Sequence, residues 1–381
     1  MTSNKIRQET AVAPAHASSP PSRNLAVDTL RGVACLLLVS FHVIGYSSTD
    51  GLHVDDDSAL RYYTDSVDYL RMPLFTLLSG LVYAWRPLHD PSGYLSFMGK
   101  KVRRLLVPYV IFIPAIGVTQ VYLDGTNTTR ELEPVHWLLY SLSPYWFLLT
   151  TFWLFAVVAL LDSRSLLSSR RSVGLVFCLS LIVVLVAHTE QFRFLQVGQA
   201  LTLAPFFLAG IAMSRFSLIP STRAARWGCT AVLLTVVVAV QLSLTGHMPG
   251  VDGAFDSRHS LVGIGLGILF PLVFLGWRLS NRALAWIGGY SSGIFLLHSF
   301  TIGAVRVVLS AAGISELTGG TDGAGAMVSV VALTIGGVGL SVLGVTVLRR
   351  FRAGQVVLGE KPRGRQTGRA GRTARTGRSP R

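Results

Sequence analysis

The sequence predicts an all-α integral membrane protein with about ten transmembrane helices and both termini in the cytoplasm. Three observations lead there. Of the 381 residues, 50% are hydrophobic and only 14% are charged, whereas soluble domains carry about 25% charged residues. The apolar residues gather into ten stretches, near 25–47, 67–85, 105–123, 142–161, 173–189, 197–213, 227–245, 259–277, 284–309 and 327–348. These are apolar nearly all round, unlike the stripe of an amphipathic soluble helix, and a run of roughly 20 such residues crosses ~30 Å of hydrocarbon. The connections, finally, alternate in charge. With the N-terminus inside, the N-tail holds three Lys and Arg, 86–104 five, 162–172 three, 214–226 three, 278–283 two and the C-tail eleven. The opposite side holds only Arg61, Arg71, Arg130, Arg193 and Arg258, an asymmetry that fixes orientation under the positive-inside rule. Fourteen of the 19 acids fall in the outer loops, Asp55, Asp56 and Asp57 among them.

The expected layout is a disordered cytoplasmic N-tail at 1–23, a membrane domain at 24–348 and a disordered basic cytoplasmic C-tail at 349–381. The N-tail is polar and rich in Ala, Ser and Pro, and the long apolar run after it lacks the cleavage site of a signal peptide. The net charge of +15 is concentrated in the C-tail, whose Gly, Arg, Thr and Ser cannot bury a core. That tail reads as a topology signal or an attraction to the headgroups of the lipid bilayer, with nucleic acid not expected as a partner. Cys35, Cys178 and Cys229 lie far apart inside apolar stretches. Without metal-ligand spacing they read as small packing residues, and no metal is expected. No internal repeat is visible, and Pro73, Pro108, Pro205 and Pro271 are tolerated helix-interior prolines of the kind membranes permit.

The first stretch, LAVDTLRGVACLLLVSFHVIGYS, carries Asp28, Arg31 and His42. Eleven residues at ~100° each bring His42 to within about 20° of Arg31, and Asp28 lies about 60° from Arg31, so the three share one helix face. Arg31 and His42 are separated by ~16 Å along the axis. Ionisable groups at membrane depth pair, line a cavity or do chemistry, because each costs roughly 2–3 kcal/mol or more near the centre. Apart from Asp68 at the outer end of the second stretch, Asp28 is the only acid inside a predicted span.

Further along, DYLRMPLFTLLSG opens the second stretch with Asp68 and Arg71 at its outer end. Arg71 either snorkels and pairs with Asp68 or lines a site. Ser79 and Gly80 would admit a close neighbouring helix. The loop before the third stretch carries Lys100, Lys101, Arg103 and Arg104, which serve as a positive-inside anchor or as a cytoplasmic phosphate cluster. PYWFLLTTFWLF, from 144, sets Tyr145 and Trp146 at the outer interface, as an aromatic belt or a sugar-stacking surface. The ninth stretch carries His298 near mid-membrane and Arg306 towards its outer end. Two ionisable groups in one span favour a polar interior.

NLAVDTLRG with its Arg31-x10-His42 spacing, RMPLFTLLSG, KKVRRLLVPY, YWFLL, FFLAGIAMSR and YSSGIFLLHSF occur in this order and together resemble the integral-membrane acyltransferase-3 family. The resemblance covers roughly residues 24–348. RMPLFTLLSG is closest to the sugar O-acetylase branch, where similar sequences usually have His in place of Arg71. The family's Arg-x-x-Arg pair is replaced here by Lys101-x-x-Arg104 or Lys100-x-x-Arg103, which leaves two registers for the phosphate contact.

The resemblance implies a multi-pass enzyme of the cell membrane that moves an acyl group, usually acetyl, from cytoplasmic acyl-CoA (acetyl-CoA) to a hydroxyl of a carbohydrate, glycan or glycolipid acceptor. His42 would be the general base. Arg31 would hold the donor or position Asp28. The Lys100–Arg104 cluster would grip the donor's phosphates, and Arg71, Tyr145, Trp146, His298 and Arg306 would face the acceptor. Cys35 lies on the Arg31 face and leaves a covalent intermediate open. A secondary transporter or glycan flippase, using the same Asp, Arg and His as a relay, is the rival reading.

Overall fold

A computed structural model describes residues 24–123, 131–187, 189–245, 259–312 and 323–362. Among them the chain is all-helical, without a strand. Each of the ten apolar stretches is centred on a helix, namely α1 (Leu25–Ile44), α3 (Arg71–Tyr83), α5 (Val107–Tyr122), α7 (Trp146–Ser163), α8 (Arg170–Val186), α9 (Val197–Arg215), α10 (Arg223–Leu244), α11 (Leu261–Gly276), α13 (Ser291–Ala311) and α14 (Gly323–Leu348). Shorter helices intervene: α2 (Ala59–Ser66), α4 (Tyr94–Lys101), α6 (Pro134–Tyr140), α12 (Arg282–Gly288) and α15 (Arg352–Val357). By length and composition, seven helices among the described residues can cross a membrane unaided; α3, α8 and α11, at 13, 17 and 16 residues, are shorter. Leu175, Leu179, Val232, Leu234 and Val238 on α8 and α10 are exposed, an outer surface suited to lipid contact.

Polar side chains start the helices where the sequence offers caps. Asn24 accepts from the Val27 amide at the start of α1, Ser169 closes a capping box on α8, and Thr222, Ser260 and Asn281 cap α10, α11 and α12. Glycines set the two closest crossings. A Cβ on Gly80 would run into the Phe207 carbonyl and one on Gly210 into the Leu77 carbonyl, so α3 and α9 meet backbone to backbone. Gly32 and Gly288 do the same for α1 and α12, against the carbonyls of Leu284 and Asp28. The Thr29 hydroxyl reinforces that crossing by accepting from the Asn281 amide at 3.1 Å.

Four boundaries differ from expectation. The segment expected as a basic loop is helical: α4 continues through a π-helical turn, Val102–Leu106, into α5, and the whole run Pro91–Tyr122 is 32 residues long. Positive charge had stood in for a loop, yet nothing between Tyr94 and Leu106 breaks a helix. The ninth stretch is split after Gly288, where two successive glycines and the tight α1 crossing end α12 before α13 begins. In the second stretch the helix starts at Arg71, with Asp68 in the turn before it. Past Leu348 the chain folds back through α15. Arg349 pairs with Glu360 at 2.7 Å, the Gln355 amide donates to the Arg349 carbonyl at 2.8 Å, and Leu358 is buried. Val357 and Leu358 supply the apolar anchor that the basic composition of this region conceals. The rest of the C-tail and the N-tail 1–23 lie outside the described residues.

Candidate active site

A cavity of about 770 Å3 lies between α1, α3, the π-helical turn, α7 and the Gly288–Gly289 turn. Its polar wall is made by Asp28, Arg31, Arg86, Lys101 and Arg104. Arg31 donates to Asp28 at 3.1 Å and still faces the cavity. Both places follow from the α1–α12 crossing, which presses the Asp28 turn against Gly288. The Lys101 ammonium sits 3.3 Å from the Phe155 ring centroid and 5.0 Å from that of Phe97, a cation–π cradle that keeps the charge aimed without a carboxylate. Arg104 is within electrostatic reach of both Arg31 and Lys101. Four cations thus share the cavity with one carboxylate. Like charges gathered beside apolar walls repel strongly, so the wall is built to receive an anion.

Of the two registers left open by the sequence, Lys101 and Arg104 face the cavity, whereas Lys100 is exposed and Arg103 is not on the wall. Arg103 instead belongs to the contact with the C-terminal segment, where Gly359, at φ +69°, lies close to the Arg103 and Arg104 carbonyls. Leu358 adds to the cavity wall beside it.

Deeper along α1, His42 meets His298 of α13 with ring centroids 4.9 Å apart. His298 is fully buried. Its Nδ1 lies 2.9 Å from the Phe295 carbonyl and 3.1 Å from that of Ile294. Carbonyls only accept, so Nδ1 carries the proton and Nε2 keeps its lone pair. That Nε2 is buried with no hydrogen-bond partner among the described residues. Arg71 is paired with Asp68, lies 3.7 Å over the Phe41 ring and is within electrostatic reach of His42. The two imidazoles do not line the cavity; Phe295, which does, contacts the His298 ring at 6.0 Å.

Two expected acceptor residues sit elsewhere. Tyr145 is fully buried; its hydroxyl donates to the Leu296 carbonyl at 2.8 Å and its ring packs on Phe112 and Phe295. An aromatic at the head of an apolar helix resembles a belt residue, but here α13 covers it. Arg306 donates to the Gly51 carbonyl at 2.8 Å and ties α13 to the loop after α1. Trp146 is half-buried, with its ring against Phe147.

A family model described as an acyltransferase domain matches residues 24–346. The chain belongs to the acyltransferase-3 family. It is therefore an acyltransferase. No curated relative and no solved structure matches it significantly.

Parts of the acyltransferase escape sequence reasoning. Arg86 reads as one more inner-loop cation, yet it joins the cavity wall. Asp162 and Arg215 fall just past their apolar stretches and count as loop residues, although Asp162 ends up 2% exposed inside the protein. Arg215 grips both carboxylate oxygens of Asp162, at 2.8 and 2.9 Å, and the Tyr83 hydroxyl donates to the same carboxylate at 2.9 Å. Asp28 is thus not alone as a helical acid. The network joins α3, α7 and α9, and through Tyr83 it reaches the cavity wall. Only the 53-residue gap between the partners hides this pair from a sequence reader.

Proposed function

We propose that this acyltransferase moves an acyl group, in the simplest case acetyl, from cytoplasmic acyl-CoA to a hydroxyl of a carbohydrate, glycan or glycolipid acceptor, within the cell membrane and with both termini inside. The observation that carries the proposal is the pairing of a cationic cavity with an imidazole pair, half-buried His42 and fully buried His298, that meets the cavity's apolar wall through Phe295. Phosphates suit guanidinium and ammonium groups set on apolar walls. Lys101, Arg104 and Arg31 would therefore hold the donor's phosphates, with Arg86 at the rim. The pantetheine arm would point the thioester towards Phe295 and the imidazoles.

A hydroxyl is a weak nucleophile near neutral pH and needs a positioned base. In this mechanism His42 takes the acceptor's hydroxyl proton as the oxygen attacks the thioester carbonyl carbon. The carbon–sulfur bond then breaks, the sulfur leaves with the bonding pair, and the imidazolium returns the proton to it. The products are an ester and free CoA. His298, with Nδ1 committed to backbone carbonyls, offers the Nε2 lone pair to the acceptor hydroxyl or to His42. Arg71 and Trp146 are the residues nearest the acceptor side. The transporter alternative has no comparable support once the family is known.

His42→Ala should lower acyl transfer by roughly 10²–10⁴-fold, the usual contribution of a general base, with membrane insertion unchanged. Transfer of labelled acetyl from acetyl-CoA in membranes from expressing cells measures it, and undiminished transfer by the variant would remove His42 from this role. Mass spectrometry of envelope glycans with and without the gene should show the acceptor lighter by one acyl unit when the gene is absent.

A further inference from the structure

Three phenylalanines of the cavity wall form a chain of ring contacts that leads to the imidazoles. Phe75, Phe147 and Phe295 all line the cavity, with ring centroids 6.2 Å apart for Phe75–Phe147 and 5.7 Å for Phe147–Phe295. Phe295 continues the series to His298, and His298 to His42. Phe147 and Phe295 are 8% and 6% exposed, so they are packed rings, and Phe75 is partly buried against the same core. The cationic wall and the aromatic cluster face the same cavity, and Phe295 joins the cluster to the imidazoles outside it. A thioester held by its phosphates at the cationic wall meets the cluster with its acyl end first, because the acyl group is the terminus farthest from the phosphates.

We infer that Phe75, Phe147 and Phe295 form a constriction that sets acyl-chain length and restricts the enzyme to short acyl groups. The inference rests on the proposed acyl-CoA donor and adds the class of acyl group to it. An acetyl group adds one methyl beyond the carbonyl and passes with small ring displacements. A hexanoyl chain adds four more carbons, which must be threaded between rings that are already in contact. In well-packed sites each surplus methylene shifts discrimination by roughly 10–200-fold, so three packed, mutually tilted rings are enough to exclude a longer chain.

The test supplies membranes from expressing cells with acetyl-, butyryl- and hexanoyl-CoA at equal concentrations and reads acyl ester formed with the native acceptor. Wild-type enzyme should favour acetyl. Phe147→Ala should raise the hexanoyl-to-acetyl ratio of kcat/KM by roughly tenfold or more, and Phe147→Leu and Phe295→Leu should raise it less. The ratio does not depend on how much enzyme folds, and the two leucine variants keep the test open if the alanine variant fails to accumulate. A wild type that uses all three donors equally, or a ratio unmoved in every variant, overturns the constriction while leaving the donor assignment standing. No transfer from any of the three donors by the wild type would overturn the donor assignment and this inference with it.

Discussion

Arg31 and Lys101 reach the same cavity from different helices and are held by different means. A carboxylate 3.1 Å away fixes Arg31, whereas aromatic faces fix Lys101. Asp28 already neutralises much of one cation, so the larger share of net attraction for an anion falls to Lys101 and Arg104. Lys101→Ala combined with Arg104→Ala should raise the KM for acyl-CoA at least tenfold with a smaller change in kcat, the signature of lost ground-state binding. Lys100→Ala, on the exposed flank, should leave KM within about twofold. Steady-state kinetics at varied donor concentration distinguish the two, and an unchanged KM in the double variant would show that the cluster acts as a topology signal alone. At this scale the sequence was a partial guide. The common face of Asp28, Arg31 and His42 follows from helical periodicity, since all three lie on one element. Lys101's cradle follows only by half, because Phe97 lies four residues before it on α4 whereas Phe155 comes from α7. Tyr145 shows the converse: its neighbours look like an interfacial belt in sequence, and only the packing of α13 over it reveals a core residue.

Among the elements, the α3–α9 crossing sets the helix that carries the cavity's Ser79 and Tyr83 against α9, where Gly80 and Gly210 let the backbones touch. A side chain at Gly80 must push the Phe207 backbone, not a flexible tip. Gly80→Val should therefore destabilise the protein by about 1–3 kcal/mol, the usual cost of overpacking. Gly174→Val on α8, where no atom lies within 4 Å of a built Cβ, is the matched control. Thermal unfolding in detergent should show a lower Tm for the first variant and little change for the second; similar Tm values would contradict the close crossing. Apolar runs made the helices themselves legible, because a bilayer-spanning element must carry its signal locally. Their joints were not. The π-helical turn and the break after Gly288 depend on what each helix packs against, and a string of residues does not display that.

Across the whole molecule, the cavity is assembled from segments far apart in the chain. Asp28 and Arg31 come from α1, and Leu358 comes from the segment beyond α14. A chain ending after Leu348 should insert normally yet lose most donor binding, whereas one ending after Pro362 should keep it. Labelled acyl-CoA binding to membranes of the two truncations tests this, and full binding by the shorter chain would make the segment dispensable. Composition pointed the other way, since eleven Lys and Arg from 349 onward masked a short apolar anchor. Arg349's pairing with Glu360 holds that anchor where Gly359 can nestle against the Arg103 and Arg104 carbonyls. The consequence is a matter of timing. Helices leave the ribosome and enter the bilayer in order, and this wall is made only after α14. A nascent chain can therefore be threaded into the membrane while its pocket is still open-sided. Synthesis of the segment after α14, not insertion of α14 itself, is the moment at which the pocket gains this wall, and a product stopped at Leu348 would sit in the membrane without it.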